Sequence, residues 1–220
     1  MTNDPYSADN VCRAFWMRAF IDAGLLDGAS LAARILLMPA FHDELCITLR
    51  AKADRTEVTA SVLQQRYEPG RLTVPVFEDY CQIDGASSAT IFALLRETIA
   101  CKARKPAIVV IADGMMSEFA VIERSGASSF RTHVSARPEA KVLARALLEA
   151  IWPGLSNPLA RNAVAAAAQY VDLELPLLDV PEATRHAFVQ GVAVLGDTGD
   201  KSDLLKVLRS RPRGLTRRSS

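Results

Sequence analysis

Residues 45–62, LCITLRAKADRTEVTASV, carry the pattern that decides the fold. Leu45, Ile47 and Leu49 alternate with Cys46, Thr48 and Arg50; further on, Val58, Ala60 and Val62 alternate with Glu57, Thr59 and Ser61. A period of two sends successive side chains to opposite faces of a strand, and the polar stretch around Asp54 and Arg55 supplies a turn. The spacing therefore predicts an antiparallel hairpin with one apolar face in a core. A short apolar run at 35–38 precedes it. After it, Glu68, Pro69 and Gly70 mark a turn, and 71–77 reads as a further strand whose Pro75 predicts an edge or an end.

Helical periodicity flanks this β-rich stretch. Val11, Phe15, Trp16, Ala19, Phe20 and Ala23 recur at three-and-four spacing, which predicts a helix over 7–24 with Ser7 as cap and Gly24 as stop. Ile91, Phe92, Leu94, Leu95 and Ile99 predict a second helix from Ser87 or Ser88 to about Arg104, halted by Pro106. A meander is expected next, with strands over 107–112, 117–124 and 128–135 and turns at Asp113-Gly114 and Ser125-Gly126. Pro138 suits the first turn of a third helix over 138–152. Beyond Asn157 the pattern is mainly helical, at 160–170, 181–195 and 203–209, with an apolar connector around Pro176. The expectation is an α+β protein: an antiparallel sheet of about six strands packed by helices over 1–156, a C-terminal helical subdomain over 157–209, and a basic disordered tail over 210–220.

Composition bounds the function. The chain has 220 residues, 50% of them hydrophobic, which suffices for a substantial core. It has no apolar run near the ~20 residues that a membrane-spanning helix needs, and Asp4 and Asp9 stand where a secretory signal would carry positive charge, so a cytoplasmic protein is expected. Cys12, Cys46, Cys81 and Cys101 are widely spaced, as are His42, His133 and His186, so reduced structural thiols are expected and no metal or cofactor. The net charge of +1 conceals an asymmetry. Lys206, Arg209, Arg211, Arg213, Arg217 and Arg218 close the chain without an acid, which leaves 20 basic against 25 acidic groups before them, a net −5.

No catalytic motif stands out. His133 could serve as a general base if Asp113 or Glu118 approached it across the meander; a histidine on the solvent face of a sheet needs no such role. Gly85, Ala86, Ser87 and Ser88 could offer backbone N–H groups to an anion, but lack the glycine spacing and lysine of a phosphate loop, and read better as a helix cap. The Asp197–Ser202 stretch at 197–202 lacks the terminal glutamate of a calcium loop. Glu44, Glu78, Asp79 and Asp84 are the acids nearest to strand ends, and are the candidates for contact with a partner.

The stretch IADGMMSEFAVIERSGASSFRTHVSARPEAKVLARALLEAIW, residues 111–152, resembles uncharacterised small bacterial α+β proteins, some of which look like immunity proteins encoded beside secreted antibacterial toxins. The resemblance implies a non-enzymatic protein whose partner is a cognate toxin, and an acidic body would be steered towards the cationic cleft of such a toxin. Two alternatives stand beside it: a small hydrolase-like enzyme using His133 with a nearby carboxylate, and a nucleic-acid-associated regulator using the basic tail.

Overall fold

A computed structural model describes residues 21, 24–25, 28–53, 55–63, 66–68, 71–103, 114–181 and 191–195. The strand expected at 107–112, the helix at 203–209 and the basic tail lie outside the described residues, as does the first helix apart from Ile21 and Gly24. Gly24 has a φ of 65° and its N–H donates to the Ile21 carbonyl at 3.2 Å, the left-handed stop a helix end uses.

The hairpin of residues 45–62 forms the middle of the sheet. Strands β1 (Leu31–Pro39), β2 (Glu44–Ala51), β3 (Thr56–Leu63), β4 (Arg66–Glu68), β5 (Arg71–Ile83), β6 (Met115–Glu123) and β7 (Gly126–His133) run in the order β4-β5-β3-β2-β1-β6-β7. An eighth strand, β8 (Gly191–Leu195), pairs with β5, and every pairing is antiparallel. The α+β arrangement is the one the sequence predicts.

Among the described residues three helices cover one face of the sheet: α1 (Gly85–Ala100), α2 (Pro138–Ile151) and α3 (Pro158–Ala168). Ile35, Leu45, Ile47, Leu49, Val58, Val62 and Phe119 meet Ile91, Leu95, Leu143, Leu147 and Val164 in one continuous cluster. Leu143, Leu147 and Ile151 recur at helical spacing, so a single stripe of α2 faces the sheet. In α3 the small side chains of Ala160, Ala163, Ala167 and Ala168 are all buried, which lets its backbone lie close to its neighbours. Asn162 fastens the following segment by donating to the Leu178 carbonyl at 2.8 Å and accepting from its N–H at 2.7 Å.

Three expectations need correction. First, β5 runs through Pro75 to Ile83, because Pro75 lies just past the ladder with β3, which covers 76–83, and its missing N–H leaves that ladder intact. Glu78 and Asp79, expected beyond the end of a strand at 77, are therefore inside β5. Second, Gly191–Leu195, expected as the end of a helix, is a strand; a short GVAVL run has no decisive period of its own, and pairing with 72–76 of β5 determines it. Third, the sheet is buried on both faces at its centre. Ala32, Leu36, Met38, Cys46, Ala120 and Ile122 form a second cluster on the side away from α1–α3, with Ile21, Leu25 and Met116 packed against it.

Candidate functional site

Strand alternation sorts the acidic candidates. In β5 the odd residues Asp79, Cys81 and Ile83 share a face with Ala60, Val58 and Thr56 of β3, towards the helices; Glu78, Tyr80 and Gln82 face the other way. The register carries one row across four strands on that second face, from Glu78 through Ser61 and Cys46 to Leu36. The adjacent row runs from Tyr80 through Thr59 and Thr48 to Arg34.

These two rows hold a polar cluster. Ser61 Oγ donates to Glu78 Oε1 at 3.1 Å and the Tyr80 hydroxyl donates to Glu78 Oε2 at 2.7 Å, so both carboxylate oxygens are held. Arg34 Nε donates to Thr48 Oγ1 at 3.0 Å. Glu44, at the start of β2, is buried on the same face, as are Thr48 and Ser61. Tyr80 is the contrast, 61% exposed with its hydroxyl fixed. Cys46 lies between, and burial pushes its thiol up, opposed by Arg34 and reinforced by Glu78 and Glu44. A thiol so placed favours its protonated form. Cys81, on the helix side, is pushed up to about 11 by burial and by Asp79.

The structure thus brings Glu44 and Glu78 to one face of the sheet and commits the other two acids elsewhere. Asp79 is buried beneath the approach to α3: its Oδ2 accepts from the backbone N–H groups of Ser156 and Asn157, both at 2.7 Å, and its Oδ1 from Ser156 Oγ and the Tyr80 N–H. Asn157 in turn caps α3 by accepting from the Leu159 N–H. Asp84 caps α1, accepting from the N–H groups of Ala86 and Ser87 and from Ser87 Oγ, and the Ser87 bonds hold its carboxyl below the usual range. The helix therefore starts at Gly85 with Asp84, not Ser87 or Ser88, as cap. Those N–H groups already have their anion.

His133 closes β7 opposite Met116, and its Nδ1 accepts from the Ser135 N–H, capping a short turn at Val134–Ala136. Glu118 faces the same way but stands opposite Arg131. Burial pushes the His133 imidazole down, the reverse of what a general-base carboxylate partner does. Asp113 lies outside the described residues.

Sequence reading missed Tyr80, Ser61, Arg34 and Thr48. The signal was the i, i+2 alternation of Glu78, Tyr80 and Gln82, hidden once the strand was ended at Phe77. Among the described residues no group of three or more His, Cys, Asp or Glu side chains is placed to hold a metal, and no helix is long and apolar enough to cross a membrane. Comparison of the chain with protein families, with curated proteins and with solved structures gives no match.

Proposed function

We propose that the protein is a cytoplasmic immunity protein, a non-enzymatic binder that neutralises a cognate bacterial toxin by occluding its active site. The observation that carries the reading is Tyr80, a large exposed aromatic whose hydroxyl is fixed on Glu78. Tyrosine is enriched at interface hot spots because it offers much contact area for few rotatable bonds. Holding the ring on Glu78 lowers its ordering cost further. Glu78 gives this face a carboxylate beside the ring, whereas Glu44 is buried, and the net −5 of residues 1–205 adds a field that attracts a cationic surface.

The test is co-production with the product of the adjacent reading frame. A stable complex and protection of cells from that product are expected, with Tyr80→Ala costing at least ~2 kcal/mol of affinity, as a hot spot does. Absence of any complex refutes the immunity reading. A complex that Tyr80→Ala leaves unchanged refutes the site.

A further inference from the structure

We infer that the edge of β7 left uncovered by the described strands pairs with the same edge of a second copy of this chain, making a two-fold dimer with a continuous sheet. Among the described strands β7 is paired on one side only, with β6. Its first four residues, Gly126–Ser129, are exposed whichever face they point to. A strand in this position presents the N–H and C=O groups of alternate residues to the outside. Native sheets blunt such an edge with charged side chains, proline or a bulge. This strand, GASSFRTH, has no proline and Arg131 as its one arginine or lysine, its first four residues carry no charge, and the register with β6 runs unbroken from Met116 opposite His133 to Glu123 opposite Gly126.

The strand sequence fits itself. A two-fold axis perpendicular to the sheet pairs antiparallel strands with helix faces on the same side, so directly opposed residues must share parity. Placing the axis at Ser129 sets Ser128 opposite Phe130 of the second copy, Ala127 opposite Arg131 and Gly126 opposite Thr132. The small half of the strand meets the large half, and no arginine opposes another. Moving the axis to Phe130 would set the two phenylalanines directly opposite each other. One strand pair buries less than the ~800 Å² per partner of a standard interface, so the dimer dissociates on dilution.

Sedimentation of the full chain across a wide concentration range tests this. A reversible shift from the chain's own mass to twice that mass is expected, and Ser129→Lys, which sets like charges face to face at the axis, should abolish it while leaving the melting temperature of the dilute protein unchanged. Ser129→Cys should form an intermolecular disulfide under mild oxidation, whereas Ser128→Cys should not, because its opposite neighbour is Phe130. A single monomeric species at every concentration overturns the inference, as does a dimer that Ser129→Lys leaves intact. The outcome is independent of toxin binding.

Discussion

Asp79 and Asp84 show how two carboxylates in one short stretch come to different uses. Asp79 is buried and answers two backbone N–H groups that have no helical partner at the entry to α3. Asp79→Ala would leave the buried Asn157 N–H and the partly buried Ser156 N–H without their acceptor, so we predict a loss of about 1–3 kcal/mol in urea unfolding. Asp84 is exposed and its effect is on pH dependence. Its folded pKa is depressed below 3.8, so its contribution is complete above that value and is lost as pH falls through the folded one. Asp84→Asn keeps a capping oxygen and removes the titration. The fall in melting temperature on acidification past that range should be smaller than in the wild type, and an unchanged fall would deny Asp84 its part. The use of Asp79 could not be read from sequence, since its donors at 156 and 157 are brought to it by the fold; that of Asp84 is local, its donors lying two and three residues on, and an aspartate directly before a helix is the signal that would have found it.

The hairpin is the element that sequence reading recovered in full, and the reason is physical. Leu45, Ile47, Leu49, Val58, Ala60 and Val62 all point into the helix-side core, because a period of two survives any tertiary context that buries one face. Ile47 is wholly buried between Ile35 and Ala60, so Ile47→Asp should unfold or aggregate the protein, an unpaired core carboxylate costing several kcal/mol. Circular dichroism and gel filtration read the outcome, and wild-type stability would remove Ile47 from the core. Helices α1, α2 and α3 were legible from their own three-and-four spacing, apart from the cap of α1. The elements missed are those where a local rule met a tertiary exception: Pro75, just beyond the ladder with β3, and Gly191–Leu195, whose only strand signal is its partner. The second face of the sheet was missed because Cys46, Thr48 and Ser61, read as its polar side, are buried there.

At the scale of the molecule, charge distinguishes the proposed function from its nucleic-acid alternative, and the structure narrows how it is to be tested. Reversing Glu78 and Asp79 together would confound binding with folding, because Asp79 holds the entry to α3 while Glu78 lies on the opposite face beside exposed Tyr80. Glu78→Lys alone changes the field at the candidate surface, at the expense of its bonds to Ser61 and Tyr80. If the acidic body steers a cationic partner, this variant should slow association and flatten its dependence on salt, since screening acts on the long-range attraction that sets the on-rate. A parallel measurement with Glu78→Gln, which removes one charge and keeps an acceptor, should fall between the two. Removing the residues after Ser210, with Arg211, Arg213, Arg217 and Arg218, takes four cations from the chain and should leave that association unimpaired. Loss of partner binding on that truncation, together with normal association of Glu78→Lys, would transfer the function to the arginines and to an acidic or nucleic-acid ligand, whose affinity would then fall steeply with salt.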